Sequence, residues 1–402
     1  MPHDFTTPSN LPFRLISPAT ATLHSPTPSP HQPTKNIHVS LVCRSNYPTI
    51  AASGVTLETR AFGTYTFTPS AVFPSISAAA AAAAAPSPWD YVIVTTKALP
   101  DVTDDSADIA PLVDAASGKT CVVLIQNGVG IEAAHRARFP RNPIVSAVTV
   151  ISAEQLRHGY VRQNRWTRIS MGAYTDGLAA ASSSAAAASS PSTTTTTSPS
   201  SSSSSAPAEE LSDLATRGDA CVRELVRLFN DLGGLRDAEH HTELELQQIR
   251  WHKLTINAAM NPSAILSGGR GNADMVVDPD LREHLRGVMQ EIWDAAPRVL
   301  GAPFPTSLAS PEQVLRSTER NKGGKPSMLL DWERGAPLET EVILGLPIRI
   351  ARSRGVELPR LQTVYALLRS QAAMRGVRER EGREKREGGG GGGGAAKGET
   401  KL

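Results

Sequence analysis

One segment of the chain places polar side chains at a constant interval along an apolar helix. In the run WHKLTINAAMNPSAILSG, Lys253, Asn257 and Asn261 stand four residues apart. Steps of four keep side chains on one helical face, so an ammonium group and two carboxamides line one stripe before Pro262 disturbs the turn. A buried lysine is costly unless another group pairs with it or uses it. The stripe is therefore a candidate site in which a proton donor stands beside hydrogen-bonding amides.

A structural interpretation of the same stripe is also open. Lys253 could extend from the edge of the helix to water, and the asparagines could cap local backbone. For a lone lysine this interpretation is the stronger one. Three polar residues in register favour a site.

Short apolar runs before this helix indicate a parallel sheet. The runs are 39–43, 91–95 and 121–125, and the polar or turn residues that follow them include Arg44, Lys97 and Asn127. Runs that are apolar on both faces are typical of parallel strands covered by helices, whose ligands bind beyond the carboxyl ends of the strands. The three polar residues are candidates for ligand contact, although strand-end residues that face solvent are an equal alternative for any one of them.

The chain changes to helical patterns after a serine-rich tract. We predict helices over 211–231, 243–260, 279–300, 311–321 and 339–354. The fold class is α/β plus all-α: a Rossmann-like parallel-sheet domain followed by a helical C-terminal domain, with the site in the cleft between them.

Low-complexity segments set the predicted boundaries. The Ala78 to Ala85 run, a long Ala/Ser/Thr tract and a charged, glycine-rich tail from about Arg378 all have flexible or disordered composition, and Pro86 stops any polyalanine helix. The predicted units are an atypical or disordered segment 1–36, a truncated nucleotide-binding domain 37–175, a linker 176–208, a helical domain 209–372 and a disordered tail 373–402.

Composition excludes several functional classes. The net charge is +2, and no basic stripe interleaved with aromatic residues indicates nucleic-acid binding. No apolar run approaches the roughly 20 residues that span a bilayer. The cysteines, Cys43, Cys121 and Cys221, form no metal-binding pattern and suit a reducing compartment. We expect a cytoplasmic protein that binds no metal, with a mitochondrial location and a homodimer as open alternatives.

Five segments between about residues 37 and 372 resemble the ketopantoate reductase (2-dehydropantoate 2-reductase) family. They are VSLVCRSNYPTIAASGVTLET, DYVIVTTKALPD, QNGVGIEAAHRARFP, the helix with Lys253, Asn257 and Asn261, and PSMLLDWERGAPLETEVILGLP. A further segment, IVSAVTVISAEQLRHGYVRQ, aligns less firmly.

The resemblance implies NADP(H) as cofactor. Arg44 takes the position that meets the 2'-phosphate, and Lys97 the position near the nicotinamide. Asn127 would contact both cofactor and substrate, Ala153 would lie near the cofactor, and Glu339 would border both ligands.

The resemblance also implies a small 2-oxo acid as substrate. Lys253 would be the general acid that protonates the developing alkoxide, and Asn257 and Asn261 would hold the substrate. Ser327 would bind the substrate carboxylate and Glu339, twelve residues later, its oxygen functions. Glu341 is a nearby competitor for the role of Glu339. The final substrate contact is Asn272, in the segment GGRGNADM.

The family's first strand and its G-x-G-x-x-G loop have no clear counterpart. The first glycine of the chain is Gly54, and the segment FRLIS could form a strand but no glycine loop follows it. Glycines let backbone N–H groups approach a pyrophosphate, so the chain lacks the family's pyrophosphate-binding loop. We also expect the sheet to lack a central strand. Three explanations are open: an altered start of an active reductase, a paralogue that lost cofactor affinity, or weak nucleotide binding by another route.

The leading hypothesis is NADP-dependent reduction of 2-dehydropantoate to (R)-pantoate, a step of pantothenate and coenzyme A synthesis. A related 2-oxo acid or opine-type dehydrogenase is the alternative among enzymes. A different class is a non-catalytic binding or dimerising protein that keeps the helical half for assembly.

Overall fold

The computed structural model describes residues 13–17, 37–60, 62–82, 89–176, 208–232, 235, 237–320 and 322–388. Within these ranges ten strands form one sheet, and most of the helices follow it in the chain. In chain order the elements are β1 Phe13–Ser17, β2 Ile37–Val42, α1 Tyr47–Ser53, β3 Val55–Thr59, β4 Gly63–Phe67, β5 Ala71–Phe73, α2 Ile76–Ala82, β6 Tyr91–Val94, α3 Asp105–Ile109, β7 Cys121–Leu124, α4 Glu132–Arg138, β8 Ile144–Arg157, β9 Tyr160–Ala173, α5 Ala208–Arg227, β10 Asp237–His240, α6 Glu243–Leu266, α7 Asn272–Val277, α8 Pro279–Leu300, α9 Pro311–Glu319, α10 Ser327–Glu333, α11 Leu346–Ser353 and α12 Pro359–Gly388. Short π-helical turns span Leu228–Leu232 and Glu341–Gly345.

The centre of the sheet is parallel, as the apolar runs predict. Strand β1 pairs in parallel with β2 on one side and with β6 on the other, and β6 continues through β7 to the first residues of β8. The expectation that a central strand is missing was therefore wrong, because FRLIS fills that place. The carboxyl ends of β1, β2, β6 and β7 lie at one edge of the sheet, where Arg44, Lys97 and Asn127 follow their strands.

Both faces of the parallel strands are buried, which explains their continuous apolar sequences. Val92 and Val122 belong to a core that also contains residues of α6 and α8, so the helical part closes one face of the sheet. Ile93 and Val123 belong to a second core against the opposite face, together with Val222 of α5. Cys43 and Cys121 are buried and Cys221 partly so, and none of the three is in a disulfide.

Helix α5 and strand β10 belong to the sheet in space, although composition places them in the helical half. Helix α5 contacts β9 and β8, and β10 pairs in parallel with β9 from Asp237↔Arg168 to His240↔Met171. Amphipathic periodicity predicts that a helix buries one face, but it does not say which neighbour covers that face.

The helical part is built around α6, which packs on α8, α10 and α12. Thr242 begins α6 with a capping box, because its hydroxyl accepts from the N–H of Glu245 while the Glu245 carboxylate accepts from the N–H of Thr242. The helix continues through Pro262 to Leu266, so the expected disturbance at Pro262 does not end it. The stripe of polar residues therefore lies on one uninterrupted helix.

Two low-complexity segments are partly helical, contrary to their predicted disorder. Residues 78–82 of the polyalanine run lie in α2, where Ala79 is fully buried beside a core that includes Trp89 and Leu112. The charged tail continues α12 as far as Gly388. The predicted linker lies mainly outside the described residues, as do positions 389–402.

Helix α2 offers a test of this assignment. We expect Ala79→Glu to lower the free energy of unfolding by several kcal/mol, because the substitution buries a carboxylate without a partner. Ala81 is exposed on the same helix, so Ala81→Glu should change stability by no more than about 0.5 kcal/mol. Urea denaturation of the two variants measures the difference, and equal effects would show that α2 is a dispensable insertion.

Candidate active site between the sheet and the helices

The turn after β7 joins the sheet to the helical part. Gly128 and Gly130 have φ angles of +85° and +74°, which side-chain-bearing residues rarely adopt. A Cβ atom on Gly128 would lie 2.3 Å from the Val342 carbonyl oxygen, and the N–H of Val129 donates to that oxygen at 3.1 Å. The turn is thus seated directly on the π-helical turn 341–345, and Asn127 is held at the junction.

Lys253 reaches the same junction from α6. Its Nζ donates to Asn127 Oδ1 at 2.9 Å and to the backbone oxygen of Thr149 at 2.7 Å. An ammonium group has three N–H donors, so two fix the side chain and the third can meet a ligand. These contacts show that the half-buried Lys253 side chain is bonded to protein groups and is not directed to water.

Glu339 completes the group. Its Oε2 accepts from Asn127 Nδ2 at 3.1 Å, and its Oε1 accepts from the N–H of Ala98 at 3.4 Å. Glu341, the competitor, is bonded elsewhere: its carboxylate contacts the Tyr365 hydroxyl and the Arg349 guanidinium. The geometry therefore places Glu339 beside Asn127 and Glu341 on the side of α12.

Burial shifts both titrating groups toward neutrality. Desolvation lowers the pKa of Lys253 to about 8, the charge of nearby Arg250 acts in the same direction, and Glu339 opposes it. Burial also raises the pKa of Glu339, against hydrogen bonds from Asn127 and Ala98. A lysine poised near pH 8 can hold a proton at neutral pH and still release it to an alkoxide.

A pocket opens beside Lys253. Asn257 lines it, one turn along α6, together with Asn127, Gly128 and Val148. Polar donors thus converge on a small space bordered by an apolar side chain.

Asn261 is buried one further turn along and connects α6 to α10. Its Oδ1 accepts from the N–H of Met328 at 3.1 Å and lies 3.5 Å from the Ser327 hydroxyl. Ser327 itself is exposed at the first turn of α10. The structure therefore links the last residue of the stripe to the first turn of α10, where Ser327 lies.

Lys97 crosses from the sheet to the helical part. Its Nζ lies 2.6 Å from Asp331 Oδ1 and donates to the Pro337 oxygen at 3.2 Å. Lys97 thus borders the cleft near Glu339, and a ligand that needs its ammonium group competes with Asp331.

The remaining predicted residues lie around this centre. Arg44 is exposed at the carboxyl end of β2, and Ala153 is exposed on β8 opposite Gln163. Asn272 begins α7, where its N–H donates to the Gly324 oxygen and its buried Oδ1 has no hydrogen-bond partner. In the part of the chain that the structure describes, no hydrogen bond or ion pair joins these three side chains to Lys253.

Two buried charges at the site were missed by the sequence prediction. Arg250 stands three residues before Lys253 and forms an ion pair with Glu132 of α4 at 3.2 Å, both side chains being 2% exposed. The signal was present, since Arg250 lies on the apolar helix and Glu132 follows the Asn127 turn by five residues. The resemblance to the family gave no role to either residue, although Glu132 lies within one of the five segments.

Comparisons with known proteins agree with this arrangement. Family models described as ketopantoate reductase PanE/ApbA and its C-terminal domain match residues 32–176 and 245–372. An uncharacterized protein of Saccharomyces cerevisiae is 28% identical over 354 residues, 83% of this chain and 86% of its own. A 2-dehydropantoate 2-reductase of Nostoc sp. is 23% identical over 249 residues, 62% of this chain and 64% of its own.

Solved structures show the same fold. The crystal structure of 2-dehydropantoate 2-reductase from Methylococcus capsulatus has a TM-score of 0.64 and 26% identity, and the match covers 90% of this chain and 97% of that one. D-mandelate dehydrogenase with NADH and anilino(oxo)acetate has a TM-score of 0.57 and 17% identity, over 84% and 91% of the two chains. None of the helices in the described ranges combines the length and apolar character that crossing a bilayer requires. With both of its domains matched, this chain belongs to the ketopantoate reductase family of oxidoreductases.

Proposed function

We propose that the protein reduces 2-dehydropantoate to (R)-pantoate with NADPH as the hydride donor. The observation that carries the proposal is the contact of Lys253 with Asn127, and of Asn127 with Glu339, at the junction of sheet and helices. A proton donor, a carboxamide and a carboxylate are thereby brought together from three separate parts of the chain. Membership of the ketopantoate reductase family supports the choice of substrate.

The residues at the cleft fit the nicotinamide end of such a cofactor. Asn127 and Lys97 follow adjacent parallel strands at the edge where ligands of these sheets bind, and exposed Arg44 follows β2 at the same edge. The stretch between β1 and β2 contains no glycine and lies outside the described residues. Weak cofactor binding is therefore part of the proposal.

When bound, the nicotinamide supplies a hydride to the ketone carbon. Lys253 Nζ uses its third N–H to hold the ketone oxygen, stabilises the negative charge that develops there, and gives up its proton to form the hydroxyl. Asn127 and Glu339 keep Lys253 in place, while Asn257 and Ser327 are donors for the substrate's oxygen atoms. Carboxamide and hydroxyl donors hold a carboxylate without adding a second titrating group.

A direct assay tests the proposal. Purified full-length chain should consume NADPH in the presence of 2-dehydropantoate and produce pantoate, with phenylglyoxylate and an α-keto acid plus amino acid mixture as comparison substrates. Faster turnover of a comparison substrate would assign a related dehydrogenase activity. If no substrate is reduced and calorimetric titration with NADPH and with NADH gives no heat, the protein is a non-catalytic relative.

Arg44 provides a test of cofactor choice. We expect Arg44→Ala to raise the KM for NADPH by about 10-fold or more, because a charged hydrogen bond to the 2'-phosphate is worth roughly 1.5–3 kcal/mol. The KM for NADH should stay unchanged, since that cofactor has no such phosphate. Equal changes for both cofactors, or none, would remove Arg44 from the cofactor site.

A further inference from the structure

The buried guanidinium of Arg250 donates hydrogen bonds to the backbone on both sides of Asn127. Arg250 Nη1 donates to the backbone oxygens of Gln126 and Gly128, each at 3.0 Å. Asn127 lies between these two residues. Arg250 therefore fixes the backbone on both sides of Asn127, while the Asn127 side chain contacts Lys253 and Glu339. Few other side chains could do this, because only a planar guanidinium presents several donors in a fixed fork.

The other half of the guanidinium is fastened to β8. Nη2 donates to the Ser146 hydroxyl at 2.6 Å and to the Ala147 oxygen at 3.0 Å. Ser146 in turn donates to Glu132 at 2.6 Å, and Gln247 of α6 donates to the same carboxylate at 3.0 Å. The turn after β7, strand β8, helix α4 and helix α6 are therefore tied at one buried point.

The position of Arg250 on α6 connects this point to Lys253. The two residues are three apart on one helix, so their side chains project from neighbouring places on its surface. Fastening Arg250 to the sheet fixes the rotation of α6 about its axis, and that rotation directs Lys253 at Asn127.

We propose that Arg250 is a positioning residue that sets Asn127 and Lys253 in register for the reaction. The inference rests on the proposed function, but the structural part of it stands separately: the Asn127 turn should depend on Arg250 for its order. Arg250 also contributes positive charge near Lys253, which agrees with the lowered pKa of that lysine.

The test compares Arg250→Lys with Arg136→Lys. Arg136 of α4 is a suitable control because it donates to backbone oxygens as well, those of Asn142 at 2.9 Å and Tyr174 at 2.6 Å, away from the site. We expect R250K to lower kcat by about 100-fold, the effect of a small misplacement of reacting groups, with the KM for substrate little changed. R136K should lose stability and keep its kcat.

A double-mutant cycle separates positioning from general loss of structure. If Arg250 acts through Asn127, R250K should add less than about 3-fold to the loss already caused by Asn127→Ala. A loss as large in the N127A background as in the wild type would overturn the inference. Should R250K fail to fold, Ser146→Ala removes one acceptor of Arg250 and should show a smaller drop, about 3- to 10-fold, with the same dependence on Asn127.

Amide hydrogen exchange tests the role of Arg250 without an activity assay. R250K, or S146A in its place, should speed amide exchange in the peptide 126–130 above the change seen in R136K. Unchanged exchange there would overturn the inference. A wild-type chain that reduces no 2-oxo acid would instead overturn the proposed function and leave this measurement to decide the role of Arg250 in the turn.

Discussion

Lys253→Met should lower kcat for reduction of the 2-oxo acid by about 10² to 10³-fold. The ammonium group spends two of its N–H donors on Asn127 and Thr149 and keeps a third for the ketone oxygen, so its loss removes both the proton and the charge that stabilises the alkoxide. The fold should persist, because removal of a desolvated charge offsets part of the cost of leaving the Asn127 and Thr149 oxygens without this donor. Steady-state kinetics and thermal unfolding of the same preparation measure the two effects.

The pH dependence of the reduction rate is a second test of Lys253 as the proton donor. The reaction needs Lys253 protonated, and its pKa is lowered to about 8, so the rate of reduction should be level below that pH and fall as the pH rises through it. The reverse oxidation needs the neutral amine and should rise over the same range. Lys253→Arg should abolish this limb, since arginine stays charged to above pH 12 and cannot release its proton.

The exposed Lys119 provides the control. Lys119→Met should leave kcat and the pH profile unchanged, because the side chain lies in a surface turn before β7. A K253M variant that reduces substrate as fast as K119M would remove Lys253 from the chemistry and with it the proposed mechanism.

The parts of this molecule that sequence predicts well are those in which local pattern and burial coincide. Strands β6 and β7 are continuous apolar runs because both of their faces are covered, and α6 begins after Thr242 because a capping box stands there. The stripe on α6 could be located from spacing alone. The hydrogen bond between Lys253 and Asn127 could not be predicted, because the two residues are 126 positions apart and no local pattern encodes that contact.

The errors have a common physical origin in tertiary context. FRLIS is too short to identify as a strand by itself, yet two parallel neighbours complete its hydrogen bonds as β1. The polyalanine run resembles a flexible insertion, yet burial of Ala79 stabilises α2. Arg250 and Glu132 were overlooked because each is an ordinary charge in its own segment and becomes informative only when both are buried together.

Gly128→Ala should be among the most damaging single-methyl changes in the protein. The new Cβ would lie 2.3 Å from the Val342 oxygen and 2.5 Å from the Val342 Cβ, in a residue whose φ is +85°. Gly301→Ala is the matched control, because Gly301 has φ +73° with nothing within 4 Å of the added atom. The control isolates backbone strain, which costs roughly 1–2 kcal/mol for a left-handed residue.

The difference in unfolding free energy between the two variants measures how closely the turn at Asn127 packs on the π-helical turn 341–345. We expect G128A to lose about 1–3 kcal/mol more than G301A in urea unfolding, as overpacking of a close contact does. Its kcat should also fall, by about 100-fold, because moving the turn away from Val342 shifts Asn127 on one side of the clash and Glu339 on the other. G301A should keep its kcat, since that glycine is the C-cap of α8 and an added Cβ there meets no other atom within 4 Å. Equal stability and equal rates in the two variants would mean that the turn can move without cost, and that the contact between sheet and helices does not hold the site together.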